Sequence, residues 1–583
     1  MAPRMSAGRR SGSHILQCMP SRTTTDSYRT EMKQIRWILK TIRPLRMQIA
    51  AMMLCHIAVA ACAVGFVYVS KVMVDNATAM FAAKAVGGSA GSIWTNLGIW
   101  TCAMGGIIVI RILLNALRTY IQTKTDVRLR NSLRSRMFDQ LLNTRLESGA
   151  NLHTGDIINR VFEDVRVVAS SVSTALPNLI GSGLQFAAAL VLLLILDLRL
   201  AIVIAVIVPI GIAGGRYITH KLRTLTHDIR KSDSKVQAHI QESIQHRTVI
   251  QTMDYADNST SSLVDLQDTL YGNEIRRVRF SIISRIIIAL SMSAGHAIAF
   301  IWGVFGISTG AVTYGMMTAF LQLVGQLQRP LMEISSNVPS LIHALASVDR
   351  IIEIEEIPRD TPDDSRLLDG VPGIKIKDIT YAYPESDKEV FTHFSHDFLP
   401  GSRTAIIGPT GVGKSTLIRL LLALLTPKKG SISLYSNEEV AVSASTRCNL
   451  VYVPQGNSLF SGTIRENLQM GDPEATDERM WWALETAAAD FVKELPAGLD
   501  TPCFEAGAGL SEGQAQRIAI ARALLRPGKI LLLDEFSSAL DPQTEDTLLE
   551  RLTKALPDRT MIFITHRERI IDFCDSVLRL SKE

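Results

Sequence analysis

The sequence predicts a multidomain membrane protein: a six-helix, all-α transmembrane domain with long cytoplasmic helical extensions, followed by an α/β domain. Three observations predict it. Six apolar stretches, each near the roughly 20 residues that cross a bilayer as a helix, lie within the first 335 of 583 residues. Lys and Arg gather beside alternate ends of these stretches. From Ile374 to Leu580 the pattern changes to alternating strands and helices. Length alone argues for several domains. The boundaries read as a tail (1–32), a transmembrane domain (33–350), a linker (351–373) and an α/β domain (374–583).

The apolar stretches are about 49–69, 93–114, 172–195, 200–217, 281–304 and 311–331. They account for a hydrophobic content of 47% and a mean hydropathy of +0.18. A tight turn around Asp197-Leu-Arg199 separates the third and fourth, and a turn around Ser308-Thr-Gly-Ala the fifth and sixth. Lys40, Arg43 and Arg46 precede the first stretch, Arg118 to Arg136 follow the second, Arg216 to Lys231 follow the fourth, and Arg276 to Arg285 flank the fifth. That side, shared with both termini, is therefore read as cytoplasmic. The net charge of +5 is explained by this topology and is too small to argue for nucleic acid. Between the stretches, 118–171 and 219–280 keep helical periodicity, so the helices continue well beyond the bilayer at 1.5 Å per residue. Each pair needs a turn at its tip; Gly149–Asp156 and Asp254–Asn258 are the candidates. His56, His296, Gln322 and Gln326 are polar within apolar stretches. They are candidates for facing a cavity, but packing against a neighbouring helix is the commoner fate of such residues. Arg111, near a span end, snorkels.

Met1 to about Thr30 is rich in Ser, Thr and Arg and lacks a secretory apolar core; it reads as a disordered cytosolic tail, and Met1 need not be the true start. Cys18, Cys55, Cys62, Cys102, Cys448, Cys503 and Cys574 are scattered without C-x-x-C spacing, so neither a disulfide framework nor a metal site follows. The run from Glu353 to Asp364 is acidic and broken by Pro358 and Pro362, as a linker would be.

The α/β domain is organised around Gly408-Pro409-Thr410-Gly411-Val412-Gly413-Lys414-Ser415-Thr416, which fits G-x-x-x-x-G-K-[ST] between a short buried strand, Thr404–Ile407, and a helix entered at Leu417. Glycines let backbone N–H groups turn toward phosphate oxygens, and the helix N-terminus favours their charge. Lys414 suits the β/γ-phosphates of ATP and Ser415 suits Mg²⁺. The run Lys529-Ile-Leu-Leu-Leu-Asp534-Glu535 reads as a buried parallel strand that delivers two carboxylates at its carboxyl edge, where α/β sheets bind ligands. Asp534 suits a Mg²⁺-bound water, and Glu535 suits polarising the attacking water. Leu510-Ser511-Glu512-Gly513-Gln514 precedes a helix over Ala515–Leu525; Ser511 and Gln514 form a capping box, and the same exposed N–H groups suit a γ-phosphate. Gln455, after the strand Leu450–Val453, suits Mg²⁺ or the water, and His566, after Met561–Thr565, suits the γ-phosphate.

With these residues together the chain resembles an ABC transporter of the bacterial exporter type, a half-transporter with membrane and ATP-binding domains fused, over about 33 to 580. The motifs fall in the family's order: the aromatic loop Tyr381-Ala-Tyr383-Pro384, the phosphate loop 408–416, Gln455, the signature 510–514, the strand 530–535 and His566, with Ser538-Ala-Leu-Asp541 matching the D-loop. Thr154-Gly-Asp156 and the Glu242 region resemble the intracellular loops. The resemblance implies that Tyr383 stacks on adenine, that Glu535 is the catalytic base, and that the signature of one chain closes the ATP site of another. One phosphate loop, one signature and six spans imply a dimer, with a homodimer expected and a heterodimer as the alternative. The implied activity is ATP-driven export across the inner membrane, with ATP and Mg²⁺ required and a hydrophobic or amphipathic small molecule, lipid or peptide as substrate. An ATP-gated channel is the alternative of another class. Two departures stand out. Glu512 occupies a position where the family pattern has Gly, although Ser511 and Gly513 are retained, so activity is expected. Phe504-Glu505-Ala506-Gly507 matches the preceding loop only loosely. The six spans exclude a soluble ABC ATPase. The first 44 residues, with only His14 and Cys18, are too short for a peptidase domain.

Overall fold

All six apolar stretches lie on long helices. In the structure, a computed structural model, residues 24–85, 91–145, 154–360, 364–383, 386, 388–504 and 509–581 are described. They divide into two compact units, one drawn from Met1–Arg136 and Ile158–Ile352, the other from Met137–Ile157 and Glu353–Glu583.

The first unit is helical. Helix α1 (Thr24–Ile42) leads into α2 (Arg46–Ala85) and α3 (Gly91–Leu142). Helices α4 (Thr154–Asn159), α5 (Val165–Ser170) and α6 (Leu176–Leu196) run on from one another through two π turns, Arg160–Asp164 and Ser171–Ala175. Then come α7 (Leu198–Gln245), the short α8 (Arg247–Thr252), α9 (Ala256–Ser308) and α10 (Tyr314–Glu355). Among the described residues four segments are long and apolar enough to cross a membrane by length and composition: Met32–Ala82, Thr95–Leu142, Gly155–Leu196 and Ala256–Ser308. The other two apolar stretches lie on α7 and α10.

The turns have local causes. Asp197 is the single residue between α6 and α7, extended at φ −157°. One carboxylate oxygen caps α7 by accepting from the N–H groups of Arg199 and Leu200 at 2.9 and 3.1 Å. The other accepts from the indole N–H of Trp302 at 2.9 Å, which ties this turn to α9. Between α9 and α10, the N–H groups of Ala311 and Val312 both reach the Gly306 carbonyl, at 2.9 and 3.1 Å, while Gly310 takes φ +72°. The expected sixth span from Ala311 therefore begins as a helix only at Tyr314. The second of the expected tips turns at Met253–Tyr255, with Asp254 at φ +52°. The first candidate tip lies outside the described residues as far as His153. Thr24–Met32, expected as disordered tail, is helical, because it starts a helix with real anchors: Trp37 is buried and the Gln34 amide donates to Asp349 at 2.7 Å.

Polar residues in the apolar helices mostly bind neighbouring helices. The Gln326 amide donates to the Ala63 carbonyl on α2 at 3.0 Å, and Gln328 to the Met292 carbonyl on α9 at 3.2 Å. His296 instead turns back on its own helix, its Nδ1 3.1 Å from that same carbonyl, and the His56 ring packs across onto α6 where a Cβ on Gly181 would be, 2.0 Å from Nδ1. The two interhelical hydrogen bonds, from Gln326 and Gln328, contribute about 0.6 kcal/mol each.

A costlier group sits in the first π turn, a feature enriched at functional sites. The Asp164 carboxylate is 2% exposed and accepts from Ser347 Oγ at 2.9 Å and from both Nε (2.7 Å) and Nη2 of Arg350. Arg350 itself remains partly exposed. Removing Arg350 strands a buried charge, whereas removing Asp164 leaves a cation that water can reach. Arg350→Ala is expected to destabilise this unit by about 3–5 kcal/mol and Asp164→Asn by clearly less. Thermal unfolding of the two variants in detergent checks the order, and equal shifts would contradict it.

The second unit is built on two sheets. Strands β1 (Gly373–Tyr381), β2 (Phe391–Phe398), β4 (Lys429–Tyr435) and β5 (Glu439–Ala441) form an antiparallel sheet in the order β2-β1-β4-β5. Strands β3 (Arg403–Ile407), β6 (Leu450–Val453), β9 (Ile530–Asp534), β10 (Thr560–Ile564) and β11 (Ser576–Arg579) form a parallel sheet in the order β11-β3-β10-β9-β6. Every residue of β9 and β10 is buried, as an apolar run in a parallel sheet requires. Around the sheets lie α11 (Lys414–Leu421), α12 (Ile464–Gln469), α13 (Asp477–Thr486), α14 (Glu512–Leu524), α15 (Pro542–Ala555) and α16 (Glu568–Asp572), and a short ladder pairs β7 (Gly462–Thr463) with β8 (Pro502–Cys503).

The acidic segment read as a linker is partly fastened. The Gln140 amide donates to the Ile357 carbonyl and accepts from Arg359 Nε, both at 2.7 Å, while Arg359 also pairs with Asp139 at 2.8 Å. Asp360 in turn accepts from Arg447 at 2.7 Å, whose guanidinium also caps the Leu422 and Ala423 carbonyls beyond α11.

Candidate functional site

Strand β3 delivers the loop 408–413, and α11 begins at Lys414. Gly411 and Gly413 take φ +78° and +110°, and a Cβ on Gly413 would stand 2.8 Å from Val390 and 3.1 Å from the Phe391 ring, so only glycine fits. The Lys414 ammonium donates to the Gly408 carbonyl at 2.7 Å and lies 2.6 Å from Nε2 of His566. Burial holds this lysine below its ordinary range, against the opposing pull of Glu535 and Asp534.

Parallel pairing of β9 with β10 places Asp534 beside Ile564, and the N–H of Glu535 continues the ladder to the Ile564 carbonyl at 3.0 Å. Glu535 then sits at φ +44°, in the left-handed region, a strained conformation for a residue with a Cβ and one that concentrates at functional sites. The turn aims its carboxylate at two sequence-predicted partners. Gln455 donates to Oε2 at 2.5 Å, and His566 Nε2 lies 3.2 Å from Oε1. Glu535, Gln455, His566 and Lys414 thus form one hydrogen-bonded group.

Asp534 is 8% exposed and accepts from the Tyr452 hydroxyl at 3.3 Å; burial raises its pKa above the ordinary aspartate value. Burial, with the Asp534 charge beside it, pushes the Tyr452 phenol up to about 12. Ser415, Asp534, Gln455, Tyr452 and Arg419 line one recess of about 270 Å³. The Tyr383 hydroxyl lies 3.0 Å from Thr416 Oγ1 and accepts from Arg419 at 3.4 Å, with its ring edge-on to Tyr381 at 5.3 Å. Pro384 lies outside the described residues.

The signature stands apart from this group. Ser511 caps α14, accepting from the Gln514 N–H at 3.2 Å while its own N–H donates to the Gln514 side chain at 2.9 Å. The helix begins at Glu512, three residues earlier than expected, because that reciprocal box satisfies its first turn. Ser511 and Glu512 are exposed, and among the described residues neither hydrogen-bonds with Lys414, Gln455, Glu535 or His566. Of the loop before it, Glu505–Gly507 lies outside the described residues. Asp541 caps α15 by accepting from the Thr544 N–H at 3.0 Å.

Three residues that the motifs do not mark hold the D-loop. The buried Gln516 of α14 donates to Ser538 Oγ at 3.0 Å and accepts from the Ala539 N–H at 3.4 Å. Arg567, next to His566, donates to the Ser538 carbonyl (3.1 Å), the Leu540 carbonyl (3.3 Å) and the buried Glu545 carboxylate (3.0 Å). Gly513 approaches so closely that a Cβ would lie 2.7 Å from the Ala539 carbonyl.

Comparison with known proteins places the chain in a family. Residues 49–331 match the family described as ABC transporter transmembrane region, and residues 391–538 match the family described as ABC transporter. The fatty acid ABC transporter ATP-binding/permease protein of Mycobacterium tuberculosis is 30% identical over 458 residues, 78% of this chain and 72% of that protein. The chain belongs to the ABC transporter family. The leukotoxin translocation ATP-binding protein of Mannheimia haemolytica is 28% identical over 496 residues, 84% of this chain and 69% of its own length. A solved bacterial Atm1-family ABC exporter with ATP bound superposes with a TM-score of 0.75 at 25% identity, covering 92% of this chain and 94% of that one. An exporter-type, multi-pass membrane protein whose ATP-binding domain couples ATP hydrolysis to transport is the established frame.

Proposed function

We propose that this half-transporter works as a dimer that exports a hydrophobic or amphipathic molecule by alternating access, its ATP-binding domain and both termini on the cytoplasmic side of the inner membrane. One observation carries the dimer: a complete hydrolytic group around Lys414 and Glu535, with an exposed signature outside it that keeps Ser511 and Gly513. Such a signature serves a phosphate loop on another copy, and a two-fold arrangement supplies both contacts reciprocally.

The oxygen-rich set of Ser415, Asp534 and Gln455 in one recess fits a hard divalent cation such as Mg²⁺. When bound, the ion would neutralise charge on the β/γ-phosphate oxygens. The chain's own residues do the rest. The N–H groups of the loop 408–413 and the Lys414 ammonium hold the phosphates, and Lys414 leaves the His566 ring as it turns toward them. His566 is then able to donate to a γ-phosphate oxygen. Glu535, fixed by its strained backbone and by Gln455, orients the attacking water and accepts its proton. Tyr383 offers its ring to the adenine. Binding closes the two ATP domains, the long helices carry that closure to the membrane, and hydrolysis resets the cycle.

The expected result in lipid nanodiscs is steady ATP turnover that stops on chelation with EDTA and returns with Mg²⁺. Turnover that persists in EDTA would remove the metal from the reading. Absence of turnover in the well-folded protein would point to a second, different half as partner.

A further inference from the structure

Glu535 leaves β9 at φ +44°, and a residue with a Cβ stays in that region only where its surroundings hold it there. Backbone hydrogen bonds fix the start of the turn. The Glu535 N–H donates to the Ile564 carbonyl at 3.0 Å, and the Ser538 N–H to the Glu535 carbonyl at 3.2 Å. A second turn follows directly, with the Leu540 N–H on the Ser537 carbonyl at 3.0 Å. Both turns close on residues whose own carbonyls are taken by one side chain. Arg567 donates from Nη2 to the Ser538 carbonyl at 3.1 Å and from Nη1 to the Leu540 carbonyl at 3.3 Å.

Arg567 is itself held. Its Nη1 lies 3.0 Å from Oε2 of Glu545, a carboxylate 1% exposed in the first turn of α15, where the helix start favours negative charge. Oε1 of the same carboxylate is buried and, among the described residues, has no donor, so this buried charge depends on Arg567. In sequence Arg567 follows His566, whose Nε2 lies 3.2 Å from Oε1 of Glu535. The guanidinium therefore ties the exit of β10 to the turn that leaves β9. Only a planar fork with several donors reaches three acceptors at once, which is why an arginine suits this place and a lysine does not. An ion pair that merely stabilised the domain would need Glu545 and nothing more. The contacts to two successive turn carbonyls are what point to the backbone of Glu535.

We propose that Arg567, fixed by the buried Glu545, is a positioning residue for ATP hydrolysis: it holds the turn 535–540 so that the Glu535 carboxylate stays aimed at the attacking water. The proposal rests on the reading of Glu535 as the base and adds the device that keeps it in place.

The test uses the full chain in lipid nanodiscs. Arg567→Met is expected to lower kcat about 10²-fold, the effect of misplacing a reacting group by about 1 Å. Equilibrium binding of a fluorescent ATP analogue stays within about twofold of wild type, as when an interaction serves turnover and not ATP binding. Because this variant strands the Glu545 charge, misfolding could mimic the loss, and a second variant separates the two. Arg567→Met combined with Glu545→Leu replaces the pair by apolar side chains, an exchange that is often neutral or stabilising. The double variant is expected to unfold at or above the wild-type temperature, with kcat still about 10²-fold low. Turnover that returns together with stability reduces the pair to a structural role and overturns the proposal. Loss of nucleotide binding in step with turnover in the stable double variant overturns it as well. In the Glu535→Gln background the aim of residue 535 no longer matters. Adding Arg567→Met there changes single-turnover hydrolysis less than about twofold, whereas groups that act independently multiply their effects. A further loss of about 10²-fold in that background refutes the route through Glu535. Turnover that persists in Glu535→Gln alone removes the base and the proposal with it. Turnover abolished by Glu535→Gln but kept by the double variant defeats the proposal and leaves the base standing.

Discussion

Glu535→Gln is expected to lower ATP turnover by about 10²–10⁴-fold, the range for loss of a positioned general base, with ATP affinity little changed. The substitution is close to isosteric, and the strained φ of +44° belongs to the backbone, so it persists. The amide oxygen of the new glutamine keeps the acceptor that Gln455 uses at 2.5 Å. What is lost is a charge able to take a proton from water. ATP affinity rests instead on the loop 408–413 and Lys414, which the substitution leaves alone. Steady-state turnover alongside equilibrium binding of a fluorescent ATP analogue makes the separation visible. Turnover above about a tenth of wild type would assign the base elsewhere, since removal of a true base costs at least a hundredfold. Equal losses of turnover and binding would mean that the site had collapsed.

The legible part of this site is the part whose chemistry needs a contiguous pattern. The phosphate loop needs glycines at fixed offsets, and Gly413 shows why, with positive φ and no room for a Cβ. Asp534 and Glu535 were legible because a strand buried on both faces must be apolar until its carboxyl edge. Gln516, Arg567 and Glu545 were not, because their role is defined by tertiary neighbours: a glutamine inside a helix and an arginine after a histidine carry no periodic signal. The membrane half shows the same division. Hydropathy located the six helices, but the two π turns around Asp164 leave no trace in hydropathy, and the start of α10 at Tyr314 depends on the Gly306 carbonyl being taken by two N–H groups. Helix α1 was missed between Thr24 and Met32 because a Ser/Thr-rich composition masked a helix whose anchors, Gln34 and Trp37, come later.

The largest qualitative effect is expected from mixing two inactive chains. Lys414→Ala removes the cation that buried contacts with Gly408 and His566 aim into the phosphate loop. Ser511→Arg fills the exposed start of α14 with a long side chain at a residue that makes no hydrogen bond to the Glu535 group. Alone, each chain assembles with itself into dimers whose two sites are both damaged, and both preparations are expected to be inactive. Co-expressed, half of the dimers pair unlike chains. In these, one site combines both lesions, and the other joins the wild-type phosphate loop of one chain to the wild-type signature of its partner. If sites work independently, the mixture recovers about a quarter of wild-type turnover, a consequence of two-fold symmetry and of nothing else in the chemistry. Recovery well below that value, with mixed dimers verified by differential tags, would mean that one intact site cannot cycle alone. Activity of the Ser511→Arg chain by itself would detach the signature from the reaction, and with it the strongest reason this chain has for being half of a machine.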